Sequence, residues 1–173
     1  MKLTVAVLMT ALALVGSLSA AETTVKLTKV HLCCDGCVAG VQKAVGTVPG
    51  VTAAVEKGAG SVALTGPDEQ TVQKAADALV EAGYFGKSGD SGVKMNVDTG
   101  AKGEKVESLK VEGVHLCCGK CVKAVDDALK KVPGVKSHTA EKGSKTFEVT
   151  GEFNDKDVFA ALQKAGLTGK VAK

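Results

Sequence analysis

Residues 30–51 return as residues 114–135, 84 positions further along, with 13 of 22 residues identical and no gap. The block runs from Val30-His31-Leu32-Cys33-Cys34 to Val48-Pro49-Gly50-Val51. Its second copy runs from Val114-His115-Leu116-Cys117-Cys118 to Val132-Pro133-Gly134-Val135. A repeat of this kind restricts the chain to two copies of one small unit in tandem. Each copy has roughly 65 residues, enough to fold alone with a thin margin. All 6 cysteines fall inside the repeated block, as two C-C-x-x-C strings. Core-filling cysteines would be scattered; these build two places for soft-metal or thiol chemistry.

The first 21 residues stand apart from the repeat. Met1-Lys2 is a short positive start, Leu3 to Val15 is apolar apart from two threonines, and small residues follow from Gly16 to Ala21. This pattern predicts a secretory signal peptide over 1–21, shorter than the ~20 apolar residues that span a bilayer. The expected mature chain is secreted or periplasmic, has no membrane span, and keeps its thiols in an oxidising compartment. All 22 basic residues are Lys, and there are only 4 Phe, 1 Tyr and no Trp. Without Arg forks or aromatic stacking platforms, nucleic-acid binding is a poor fit. No G-x-x-x-x-G-K, H-E-x-x-H or nucleophile–base pair is present, so an enzyme is not expected.

Periodicity gives each half the order strand, helix, strand, strand, helix, short strand. Val25 and Leu27 alternate with polar residues, as in a strand with one buried face. Val38, Val41, Val45 and Val48 follow at helical spacing, and Pro49-Gly50 stops the helix. Val51 to Glu56 and Ser61 to Thr65 flank a hairpin turn. Asp68 opens a second helix through Val72, Ala76 and Leu79, which Gly83 closes. The second half repeats the plan with Leu109 and Val111, then Val122, Val125, Leu129 and Val132, then a hairpin from Val135 to Thr150, then Val158 and Leu162. The expected domains are 22–88 and 107–173, joined by a polar linker over 89–106. A flexible linker of about 20 residues would hold the halves ~25 Å apart, folding and binding metal independently.

Cys34 and Cys37, and likewise Cys118 and Cys121, stand where a strand hands over to a helix. Spacing of i and i+3 there puts both sulfurs on one side, and the helix N-terminus favours thiolate. Such a pair suits an ion content with few soft ligands, whereas Zn(II) normally needs four.

The order strand, x-C-x-x-C, helix, V-x-G-V, two strands, helix, A-G-Y resembles the heavy-metal-associated domain, the module of copper chaperones, metal-pump N-terminal domains and the periplasmic mercury-binding protein. The family string G-M-T-C-x-x-C maps onto His31 to Cys37 and onto His115 to Cys121. The resemblance covers both halves and implies two ferredoxin-like βαββαβ domains, an α+β fold, in tandem after the signal peptide. It implies Cys34 with Cys37, and Cys118 with Cys121, as metal ligands, and puts Tyr84 near the metal loop; Leu167 takes that place in the second half. Leu32 and Leu116 replace an inward-packing Met. Cys33 and Cys117 replace a small polar residue: adjacent residues of an extended segment face opposite ways, so these two are expected to turn away and act as conditional third ligands. His31 and His115 read equally well as surface strand residues or as parts of the site.

The reading that follows is an exported soft-metal-binding protein that sequesters or transfers its ion through paired thiolates. Cu(I) leads, with Hg(II), Cd(II) or Zn(II) behind it, and the partner is a metal-donor or metal-acceptor protein such as a membrane metal transporter. The alternative is a thiol–disulfide oxidoreductase using the C-x-x-C pairs.

Overall fold

A computed structural model describes residues 22–173; the expected signal peptide lies outside the described residues. The elements are β1 (Thr23–Thr28), α1 (Asp35–Val45), β2 (Thr52–Glu56), β3 (Ser61–Gly66), α2 (Glu69–Glu81) and β4 (Lys87–Ser88), followed by β5 (Lys105–Glu112), α3 (Gly119–Leu129), β6 (Val135–His138), β7 (Thr146–Asn154), α4 (Asp155–Lys164) and β8 (Lys170–Val171). They form two four-stranded antiparallel sheets, ordered β2-β3-β1-β4 and β6-β7-β5-β8. Each is a ferredoxin-like βαββαβ unit, the α+β fold expected from the sequence. No helix among the described residues is long and apolar enough to cross a membrane.

The sheets are held by the alternation read from the sequence. Val25 pairs with Leu64 and Leu27 with Val62 across β1 and β3, and all four are at most 1% exposed. The first helix of each half buries Cys37, Val41, Ala44 and Val45, or Cys121, Val125, Ala128 and Leu129. That stripe is turned by one residue from the expected one, so the last cysteine of each string starts the core face. Each fully buried Val or Leu contributes about 1.5–3 kcal/mol. Asp68 caps α2 by accepting from the Thr71 N–H at 2.7 Å.

The halves are not held apart. Their buried side chains form one continuous apolar cluster that includes Val30, Leu32, Tyr84, Val114, Leu116 and Leu167. Tyr84 and Leu167 face each other in an antiparallel bridge, where the Phe85 N–H donates to Gly166 O at 3.2 Å and the Thr168 N–H to Gly83 O at 3.0 Å. Gly83 and Gly166, both at positive φ, each close a helix against the other half's backbone. A Cβ on Gly83 would run into Gly113 O and His115 N, and one on Gly166 into Lys29 O and His31 N. Larger residues there would push the halves apart.

The connecting segment is likewise fastened, which corrects the expectation of a flexible spacer. Val93 is fully buried. Lys94 exchanges two 2.7 Å hydrogen bonds with the Gln73 side chain on α2. Further on, the Lys102, Gly103 and Glu104 N–H groups converge on the Asp155 carboxylate at 2.7–3.0 Å. A Gly- and Lys-rich composition reads as a spacer because these anchors are backbone groups, which leave no mark in the side-chain pattern.

Candidate metal centre

Docking the halves brings both thiol strings to one place. Cys33 Sγ lies 3.5 Å from Cys118 Sγ and 3.6 Å from Cys121 Sγ. Its counterpart Cys117 lies 3.5 Å from Cys34 and 3.6 Å from Cys37. Within each half, Cys33–Cys37 and Cys117–Cys121 are both 3.6 Å, while Cys34–Cys37 is 3.8 Å and Cys118–Cys121 is 3.9 Å. Cys37 and Cys121 meet at 3.8 Å. The pairs match to within 0.1 Å, so a near-two-fold axis passes between Cys37 and Cys121. All six thiols are free, at separations far beyond the ~2.05 Å of a disulfide.

The local backbone explains the convergence. Cys34 and Cys118 are the N-cap residues of α1 and α3, both extended, and neither side chain caps its own helix. Their sulfurs are therefore free to face the centre. Cys37 and Cys121 enter from the buried helix stripe, and both are completely inaccessible.

Cys33 and Cys117 do not turn away as expected; they reach across to the other half. The strand alternation invoked for them ends early. β1 stops at Thr28, and Lys29 then adopts φ 60; Gly113, at φ 80, occupies the equivalent place. The reversal bends the following residues over the helix ends. Gly113 was the available signal, since a glycine directly before Val114-His115 marks a break in the extended run.

Two histidines flank the sulfurs. His115 stacks on Tyr84 with ring centroids 4.5 Å apart. Tyr84 Oη donates to Cys37 O at 2.9 Å and lies 3.0 Å from His115 Nε2. One hydroxyl proton serves one acceptor, so His115 Nε2–H is the donor in the second bond and Nδ1 carries the lone pair. Gly40 permits this approach, because a Cβ there would collide with the Tyr84 hydroxyl. Cys37, His115, Cys117 and Cys121 offer ligand atoms within 4.8 Å of one another, as do His31, Cys33 and Cys121, and Cys33, Cys34 and Cys118. His31 Nε2 is buried without a hydrogen-bond partner. Leu32 and Leu116 pack inward at 6% and 4% exposure.

The thiols are not equally acidic. Burial raises Cys33, Cys117 and Cys121 well above the ordinary thiol value. Burial also opposes ionisation of Cys37, but hydrogen bonds from the Cys33 backbone and the Cys117 thiol outweigh it and hold this thiol low. The Cys121 backbone N–H, helped by the Cys33 thiol, draws Cys118 down to about 6. Burial depresses both His31 and His115, and for His115 the nearby His31 adds to it, so both imidazoles are neutral at neutral pH. The centre thus offers soft donors of unequal acidity, with Cys37 and Cys118 the thiols drawn toward thiolate.

Residues 108–168 match the heavy-metal-associated domain family. Among solved structures, the N-terminal domain of PacS from Synechocystis PCC6803 aligns at 22% identity and TM-score 0.36, covering 39% of this chain and all of that one. A copper-binding domain from HMA7, a P-type ATPase, aligns at 19% identity and TM-score 0.36, covering 39% of this chain and 96% of its own. The N-terminal soluble domains of Bacillus subtilis CopA align at 17% identity and TM-score 0.34, covering 88% of this chain and 95% of theirs. No curated protein matches the chain.

Proposed function

We propose that this protein is an exported, non-enzymatic carrier of soft metal ions that sequesters its cargo and passes it to a partner by exchange of thiolate ligands. The observation that carries the reading is the meeting of six free sulfurs at 3.5–3.9 Å with no disulfide among them. Polarisable sulfur donors select Cu(I), Hg(II) and Cd(II) over hard cations. Cu(I) is the preferred cargo, because thiolate sites of two or three ligands suit it. Cys34, Cys37, Cys118 and Cys121 are the ligands the repeat supplies in each half, and Cys33 and Cys117 join them. The match of residues 108–168 to a heavy-metal-associated domain supports the class of cargo, and the apolar leader over 1–21 supports export. The partly exposed Cys34 and Cys118 are where a donor or acceptor, such as a membrane metal transporter, would exchange ligands first.

The test is competition for Cu(I) against a chelator, under reducing, air-free conditions. Tight binding by the native chain, lost when Cys34, Cys37, Cys118 and Cys121 are all replaced by Ser, supports the reading; equal affinity of the two proteins rejects it.

One observation favours a second reading, thiol–disulfide exchange: the Cys118 thiol, drawn to about 6, has the character of an attacking cysteine. Its resolving partner Cys121 is inaccessible and held protonated by burial, which fits a ligand better than a redox couple. Insulin reduction at a thioredoxin-like rate, abolished by Cys118→Ser, would establish the enzyme instead.

A further inference from the structure

We propose that the six cysteines form one intramolecular site for a polynuclear Cu(I)–thiolate cluster, holding four ions at capacity, in place of two separate two-sulfur sites. The inference rests on the soft-metal reading above and specifies what that centre takes up.

The arrangement of the sulfurs carries it. Short contacts of 3.5–3.9 Å link nine of the sulfur pairs. Cys33, Cys34 and Cys118 also lie within 4.8 Å of one another, and the near-two-fold axis relates Cys117–Cys118 to Cys33–Cys34. The pairs left without a short contact are Cys33–Cys117, Cys34–Cys121 and Cys37–Cys118. Those are the opposite corners of an octahedron, so the six sulfurs outline a distorted one. Every face is a triangle of thiols drawn from both halves of the chain or joined to the other half through a shared edge.

Four of the eight faces have every edge at 3.5–3.9 Å and the size of a three-coordinate metal site. The others include a wider edge, as in Cys33, Cys34 and Cys118, which lie within 4.8 Å of one another, and would draw in on loading. An ion at the centre of a triangle with edges of 3.5–3.9 Å sits about 2.0–2.3 Å from each sulfur, a metal–thiolate bond length. When alternate faces are filled, four ions each bind three sulfurs and each sulfur bridges two ions. No donor is left over, and no ion lacks a third ligand.

Charge selects the ion. Six thiolates with four monovalent ions leave two negative charges. The N-termini of α1 and α3, whose N-cap residues are Cys34 and Cys118, supply partial positive charge of about half a unit each. Divalent ions in the same faces would reverse the sign of the cluster, and Zn(II) would also lack the fourth ligand it needs there. Loading involves no change of oxidation state. Each Cu(I) leaves its donor, each protonated thiol releases its proton to solvent, and Cu–S bonds replace S–H bonds.

The geometry also makes Cys33 and Cys117 decisive. They are opposite corners, so every face contains one or the other. Replacing both removes all three-sulfur faces and leaves a ring of four sulfurs, in which Cys34–Cys37 and Cys118–Cys121 are the pairs within one half and Cys37–Cys121 joins the halves.

The experiment is an air-free Cu(I) titration of the full chain, read by native mass spectrometry and X-ray absorption. The expected result is cooperative loading to four Cu(I) per monomer, three sulfurs per copper and a short copper–copper scattering path. The double variant Cys33→Ser, Cys117→Ser should stop at two Cu(I), with two sulfurs each and no copper–copper path. A native chain that stops at two coppers without that path, or shows it only in species of two chains, overturns the intramolecular cluster while leaving soft-metal binding intact. A native chain that takes up no Cu(I) removes the functional reading itself.

Discussion

Around nearly identical sulfurs, the two halves build different surroundings. The first half extends Tyr84 to the interface, and its hydroxyl ties the Cys37 carbonyl to His115. The second half extends Leu167 to the matching place, and His31, the equivalent of His115, is left with a buried Nε2 that has no partner. The sulfur distances nonetheless agree across the near-two-fold axis to 0.1 Å. Sulfur placement within each half therefore follows from the repeated block, through the helix N-cap and the buried stripe. The hydrogen-bonding layer follows from residues outside the block, where the halves have diverged. A symmetric metal site can thus sit between imidazoles with unlike freedom.

The largest effect should come from the two sulfurs nearest the axis. Cys37→Ser and Cys121→Ser should each weaken Cu(I) binding by more than the roughly 10–100-fold that loss of a supporting group costs, and should depress the metal content of both halves together. Competition titrations of the two variants check this. If each variant kept one half's binding at native affinity, the halves would be separate sites and the comparison above would concern two neighbours only.

Next is the start of the last helix. In the first half Asp68 alone caps α2. In the second, Asn154 caps α4 while Asp155 gathers three N–H groups of the connecting segment. Burial works against the Asp155 carboxylate, but those N–H groups prevail and hold it below the ordinary range. A depressed carboxylate stabilises fully above its unfolded value of about 3.9, and the contribution is lost as pH falls through its folded value. Asp155→Asn should therefore cost about 1.5–3 kcal/mol at neutral pH. Urea unfolding across a pH series should show the gap between native and variant chains closing below pH about 4. A gap that is independent of pH would mean that the charge is not what fastens the segment.

A smaller change would make the halves more alike. Tyr84→Phe removes the hydroxyl and leaves His115 as unpaired as His31, at an expected cost of about 1–2 kcal/mol. Calorimetry gives the cost, and the nitrogen shifts of the His115 ring should move from a fixed Nε2–H tautomer toward a mixture. Unchanged shifts would show that Tyr84 does not set the tautomer.

The smallest expected effect is at the reversal before each string. Lys29 holds φ 60 where the second half has Gly113. Lys29→Gly should relieve left-handed strain of about 1–2 kcal/mol, offset by a glycine entropy cost of about 0.5–1. A net gain of up to about 1.5 kcal/mol in denaturant unfolding is expected, and a loss would mean that the Lys29 side chain holds the bend.

Element order was legible because it depends on neighbours in the chain. Alternation at Val25 and Leu27, the apolar stripe through Val41 and Val45, Asp68 at a helix start and Gly83 at a helix end are each local signals that survive folding unchanged. The likeness of the strings also identified Cys34, Cys37, Cys118 and Cys121 as one kind of residue in two places. The direction of Cys33 was misread because strand alternation was extended past Lys29, whose left-handed backbone no residue type announces; Gly113 announces it in the other half.

By itself the sequence determined two units of one βαββαβ element order, each presenting a thiol string at a helix N-terminus. Those features arise from period, capping and repetition within a few tens of residues. That the strings meet was decided only by the tertiary structure. Docking depends on Gly83 and Gly166 letting backbones touch, on Tyr84 bridging to His115, and on the connecting segment being fastened by backbone N–H groups to Gln73 and Asp155. Such contacts join residues far apart in the chain, and several use only the backbone, which is the same at every position and so leaves no trace in a sequence.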